Sequence, residues 1–255
     1  MKSLIIYTLF LISLINAEIT HYERGLLLYE QRANKAVDLR ANTEFIDKAI
    51  NEFLKGLKNE DSELNAGIHL LRCYYYKGKF IAGDDQEKKE FFNEGKALGE
   101  KLIELYPESA GANYWYLVNL GSWAEVYGIL SAAKEGVANT MREYSNRIID
   151  IDSSYSDGGG YFMLGAVHLK SPYIPFILSW PSDEIALKYL SLAYKTGDST
   201  PSQTVYLARA LYVNGKKEKA ISLLTSLLGK EISESNKLED LEQHDIARKQ
   251  LEDWK

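Results

Sequence analysis

A small residue, then a large apolar one four positions on, recurs along this chain at intervals that only packed helices use. The pattern joins Ala49 with Phe53; Ala186 with Leu190 and Ala193; and Ala220 with Leu224 and Leu227. A glycine version joins Gly95, Gly99 and Leu102, with Pro107 closing it. Small residues stand where two helices approach closely, and large ones fill the gap beside them. A second, partial pattern begins at Leu70, Leu117, Leu164 and Leu207, with copies 43 to 47 residues apart. This is longer than the roughly 34-residue period of the commonest helical-hairpin repeat. The extra residues fall at 81–90, 124–135 and 171–181, between the helices of a pair.

Stop signals divide the chain the same way. Pro107 forbids continuation of the preceding helix, and the Ser109 hydroxyl suits an orphan amide of the next. Asp150 to Gly160 carries three Asp, three Ser and three consecutive Gly and reads as a helix–helix connection. Gly197, Thr200 and Pro201 supply a C-cap glycine, an N-cap hydroxyl and a first-turn proline in order. Gly215 marks a tight turn before Ala220. The charged, weakly periodic segment from Glu231 to Lys255 reads as a terminal helix with a polar outer face. The five prolines all lie at or beyond position 107, and no stretch alternates with period two long enough for a strand. The fold expected is all-α: a right-handed superhelical solenoid of tetratricopeptide-like (TPR-like) hairpins, about four to five pairs, in one domain over 18–255.

The N-terminus has the three-part order of a secretory signal: Lys2, the apolar run Leu4 to Ile15, and Ala17 at the cut. The run is shorter than the about 20 residues that span a bilayer. Residues 1–17 are therefore expected to be removed, leaving a periplasmic or secreted protein that begins at Glu18. A formal charge of -6 gives no footprint for nucleic acid.

Enzyme readings fail on inventory. The four His, at 21, 69, 168 and 244, form no HExxH and have no second ligand at metal spacing. The single Cys, Cys73, lies inside a predicted helix and reads as a small buried hydrophobe. Gly158, Gly159 and Gly160 lack the third glycine of a dinucleotide loop and read as a close helix approach. No catalytic residue, metal or cofactor is expected.

The strongest binding candidate is the aromatic helix. Trp115, Asn119 and Trp123 stand at i, i+4 and i+8, and Tyr114 adjoins them. An amide between two indoles suits a groove wall that stacks and hydrogen-bonds a ligand; packing between hairpins is the alternative. One register turns Arg72 and Arg209 inward, and the other turns Trp115 and Asn119 inward. The second candidate is the loop 171–181, with three prolines among apolar residues that include Phe176 and Trp180. It would cover the groove, pack on its own chain or join a second copy in a homo-oligomer. A closed pocket between Trp115, Trp123, Tyr161 and this loop favours a small ligand, and an open polar channel favours a peptide.

From Tyr106 to Leu228 the chain resembles the TRAP transporter T-component family, extracytoplasmic helical-repeat proteins. The resemblance is carried by the run Tyr114 to Trp123, by Asp157 to Gly165, by Lys170, Ser171, Pro172 and Pro175, and by Ala186 to Ala193 with Tyr206, Leu207 and Ala208. It implies a non-enzymatic accessory to a periplasmic solute-binding protein and its transporter, assembling around a pore and passing ligand. Family members commonly carry a lipid on an N-terminal Cys, where Glu18 stands here. The two functions expected are thus an accessory binding protein in solute uptake and, as the rival, a generic TPR interaction scaffold with no small-molecule ligand.

Overall fold

Side-chain caps start the helices. Thr20 and Glu23 form a reciprocal capping box, Asn42 accepts from the Glu44 amide, and Asp84 accepts from Gln86 and Glu87. Ser109 accepts from Ala112, Ser182 from Ile185, and Thr200 with Gln203 makes a second box ahead of Pro201. Each satisfies amides that the helix itself leaves open, which is worth about 1 kcal/mol. The computed structural model describes residues 19–59, 61–176 and 178–254, so the expected signal segment 1–17 lies outside the described residues.

The described residues form twelve helices. They are α1 His21–Tyr29, α2 Thr43–Gly56, α3 Glu63–Phe80, α4 Asp85–Leu105, α5 Ala110–Tyr127, α6 Ile129–Lys134, α7 Val137–Asp152, α8 Tyr155–Lys170, α9 Asp183–Lys195, α10 Pro201–Val213, α11 Lys217–Leu228 and α12 Lys237–Asp253. Five antiparallel pairs follow one another: α1 with α2, α3 with α4, α5 with α7, α8 with α9, and α10 with α11. The fold is an all-α helical solenoid, as the repeats require. No described helix is long and apolar enough to cross a membrane.

Each first helix also touches the first helix of the next pair, from α1 through α3, α5, α8 and α10 to α12. Second helices are held apart by these contacts, so the first helices form the inner row of the curve. The repeat residues read from the sequence are the spacers of this stack. Ala49, Phe53, Ala186, Leu190, Ala193, Ala220, Leu224 and Leu227 are all buried. At Gly95 a Cβ would lie 2.0 Å from Asn119 Oδ1, so α4 and α5 close only because the glycine has none.

Two local expectations change, and a third gains a contact. The segment 124–135 is no inter-helix loop: α5 continues to Tyr127, Gly128 breaks it with φ +84°, and α6 follows. The connection expected over 150–160 is narrower, because α7 runs through Asp152. Ser156, Asp157 and Gly158 then take left-handed angles at the start of α8. This kink brings the Asp157 carboxylate to the Asp198 amide (3.1 Å) and its carbonyl to Gln203 Nε2 (2.7 Å), tying α8 to the α9–α10 turn. Finally, α12 is the expected terminal helix, with Lys237, Arg248, Lys249, Glu252 and Asp253 exposed on its outer face, but its inner face makes a distant contact. Leu238 is buried in the cluster of Tyr29, Ile46, Phe53 and Leu70 at the far end of the chain.

Candidate functional site

The inner row gathers a strip of aromatic rings and guanidinium groups. Arg72 of α3 lies 4.9 Å from the Tyr29 ring centre and 5.1 Å from the Trp115 ring. Trp115 meets Tyr114 edge-on at 5.5 Å and Tyr75 at 6.2 Å, and Tyr114 meets Tyr155 at 5.6 Å. A guanidinium between two rings is attracted by their negative faces, more so where water is excluded. His69 accepts from Arg72 Nη1 at 3.4 Å through Nε2, while Nδ1 faces the Asn65 carbonyl at 3.0 Å. Burial, with Arg72 beside it, pushes the His69 pKa down to about 4, so the ring is neutral. Burial raises Tyr114 to about 12 and, with Glu242 and Glu239 near, also raises Tyr75 well above its ordinary value.

Of the residues expected to bind, the structure brings together Arg72, Tyr114 and Trp115. It takes the others elsewhere. Asn119 is fully buried, with Nδ2 donating to the carbonyls of Leu71 (3.0 Å) and Trp115 (2.9 Å). Trp123 is buried against α4, where its Nε1–H donates to Asn93 (2.8 Å) and its ring stacks on Tyr127 at 4.4 Å. The reason is helical drift: eight residues at about 100° each overshoot two turns by about 80°. Trp115 therefore faces the inner row while Trp123 faces the second helix. Arg72 and Trp115 are not alternatives in register; they touch.

Tyr161 stacks on Tyr189 at 6.4 Å, towards α9. The expected pocket between Trp115, Trp123, Tyr161 and the 171–181 loop is thus not formed. That loop is a small hairpin closed by Ile174 and Leu178, with Phe176 wholly exposed at its tip and Tyr173 exposed beside it. Trp180 docks on its own chain: Nε1–H donates to Asn139 (3.0 Å), and Arg142 lies 4.4 Å from the ring. Arg209 lies further along the inner row, 5.4 Å from the Tyr206 ring and hydrogen-bonded to the Gln250 amide oxygen of α12. It lines a cavity of about 310 Å³ with Leu169, Lys170, Tyr212 and Trp254.

The residues that the sequence reading missed are those that meet α12. Arg32, 2% exposed, lies 4.3 Å from the Tyr29 ring, and its guanidinium donates to Glu239 Oε1 at 2.9 Å. Lys79 pairs with Glu242 at 2.7 Å. Trp254 stacks on Tyr212 at 4.1 Å. Burial raises the Asp240 carboxyl and lowers the His244 imidazole, both on this helix. Nothing local marks such pairs as Arg32 with Glu239, because the partners are about 200 residues apart in sequence.

Similarity to known proteins fits this arrangement. A thermophilic TPR protein of Thermus thermophilus superposes with a TM-score of 0.57 at 15% identity, over 92% of this chain and 96% of that one. No curated protein matches the sequence. Residues 33–169 match the family model described as regulator of microtubule dynamics protein 1-3. Neither match is to a TRAP transporter T-component. The matched segment opens just after Arg32, spans Arg72, Tyr114 and Trp115, and covers more than half of the sequence, and the chain belongs to the regulator of microtubule dynamics protein 1-3 family.

Proposed function

We propose that the protein is an interaction scaffold whose inner helical row receives a segment of a protein partner. The observation that carries this reading is the continuous strip of Tyr29, Arg72, Tyr75, Trp115 and Tyr114 across three successive first helices. Aromatic and arginine side chains contribute most where chains dock, since they offer large contact area and charge-assisted hydrogen bonds. The strip extends along the row through three successive hairpins, which favours a peptide or helix over a small molecule. The fold supports no particular chemistry, and we assign no catalytic residue, metal or cofactor.

The test is a photo-crosslinking amino acid at Tyr75, on the inner row, set against one at exposed Lys101 on α4. A protein adduct from position 75 alone is the expected result. An adduct from position 101 alone, or from neither, overturns the reading.

The family description names regulation of microtubule dynamics, so a protein acting there is one candidate occupant. The T-component resemblance of the runs 114–123 and 157–165 supports an extracytoplasmic version, with a solute-binding protein as occupant. The two separate on the fate of the first residues. Release from the cytoplasm as a chain beginning at Glu18 supports the second; an intact Met1 on cytoplasmic material removes it.

A further inference from the structure

The inner row already carries a helix. Helix α12 packs on α10 and α11, then reaches the first hairpins through Arg32–Glu239 and Lys79–Glu242, while Leu238 and Leu241 enter the N-terminal cluster. Its carboxylates Glu239 and Glu242 face Arg32 and Lys79, and Gln250 meets Arg209 further along.

Helix α12 is held less completely than the hairpins are. Eight buried side-chain polar atoms among the described residues lack a protein partner, and three of them belong to α12. These three are Glu239 Oε2, Gln243 Oε1 and His244 Nε2. Each orphaned polar atom at a contact subtracts from its stability. Its N-cap Asn236 makes no side-chain cap. The exposed, polar residues 234–236 precede it, and its start is held from outside by Arg32, which donates to the Ser235 carbonyl and to Asn236 Oδ1 (3.2 Å).

We propose that α12 is an exchangeable occupant of the partner face, and that the partner supplies an acidic amphipathic helix of the same pattern. Its signature is Leu238, Glu239, Leu241 and Glu242: two leucines three apart, each followed by a carboxylate. The leucines fill the space beside Tyr29. The carboxylates take the Arg32 guanidinium, already set between the Tyr29 and Tyr76 rings, and the Lys79 ammonium. The inference rests on the scaffold reading and adds to it the chemistry of the partner and the segment it replaces.

Two measurements on the full chain test it. Hydrogen exchange of the unmodified protein is expected to be at least about tenfold faster across 237–253 than across α10 and α11. Equal protection makes α12 a fixed part of the fold and overturns the inference, whatever any variant does. Separately, Glu239→Arg with Glu242→Arg sets like charges against Arg32 and Lys79 and releases α12. A labelled synthetic peptide of residues 233–254 should then bind this variant at least about tenfold more tightly than the unmodified chain, by fluorescence anisotropy. Adding Arg32→Glu and Lys79→Glu restores the pairing with signs reversed and should abolish that binding. A folded, α12-released variant that ignores the peptide overturns the inference. If the variant does not fold, the exchange rates of the unmodified chain decide alone. A fixed α12 together with an adduct at position 75 removes this inference and leaves the scaffold standing.

Discussion

Asn119 and Gly95 offer a direct test of whether the aromatic helix is wall or core. Removing the Asn119 side chain beyond Cβ deletes two hydrogen bonds, to Leu71 and Trp115, in a site with no solvent access. At about 1 kcal/mol for each bond, and with the void that remains, Asn119→Ala should cost about 2–3 kcal/mol. Gly95→Ala should also destabilise, because its Cβ would lie 2.0 Å from Asn119 Oδ1 and 2.5 Å from Cγ. Overpacking of this kind costs about 1–3 kcal/mol, against a gain of under about 1 kcal/mol in helix propensity. The double variant is the informative one. With the amide gone, the two closest contacts vanish, the Asn119 Cβ stays at 3.1 Å, and the new methyl fills part of the vacated volume. It should be no less stable than Asn119→Ala alone, a coupling of at least about 1 kcal/mol. Urea and thermal unfolding followed by far-UV circular dichroism read this directly, each kcal/mol moving the midpoint by about 2–4 °C. Additive losses would refute the packing argument. A near-native melting temperature for Asn119→Ala, with partner binding lost, would return Asn119 to the binding face.

Three other outcomes follow from the geometry. Because the folded His69 pKa is depressed from 6.5 to about 4, its contribution is complete above about pH 6.5 and is lost as pH falls towards 4. His69→Gln should therefore flatten the fall in melting temperature between pH 7 and 4, and an unchanged slope would count against a buried neutral ring. Gly158→Ala combines φ +81° with a Cβ 2.8 Å from Thr196 Cβ, so it should lower stability by more than about 1 kcal/mol in the same unfolding assays. Phe176→Ser removes a side chain that buries nothing within the chain and should leave the melting temperature within about 0.5 kcal/mol equivalent of the original. If the unmodified protein self-associates by light scattering, this substitution should weaken it; a monomer at micromolar concentration removes the homo-oligomer.

The hairpin stack was legible because its signals are local. Pro107 with Ser109, and Thr200 with Pro201, stop and start helices through backbone chemistry that no distant contact alters. The spacing from Ala186 through Leu190 to Ala193 needs only the period of one helix. Asn119 misled for the opposite reason: spacing alone does not say how far a face turns over two turns, or that Gly95 waits opposite. The loop 171–181 was expected to bury its apolar residues, yet only some of them find cover. Trp180 docks on Asn139 and Arg142 while Tyr173 and Phe176 stay in solvent. Helix α12 was legible as a terminal helix with a polar outer face, but its inner contacts were not. Its run of Glu, Asp, Gln and Lys has the composition of a solvated face, and the cations that receive it, Arg32 and Lys79, stand at the other end of the chain.

A stack whose units meet only their neighbours can lengthen or shorten at either end without disturbing the middle. The bond from Arg32 to Glu239, 207 residues apart, takes that freedom away. One more hairpin would carry every later helix through a further rotation and rise, and Glu239 would no longer arrive at Arg32. The number of hairpins is thereby fixed, as the number of links is fixed in a clasped bracelet. Growth is confined to places off the ring, such as the hairpin tip at Phe176, where added residues change no distance between the two ends.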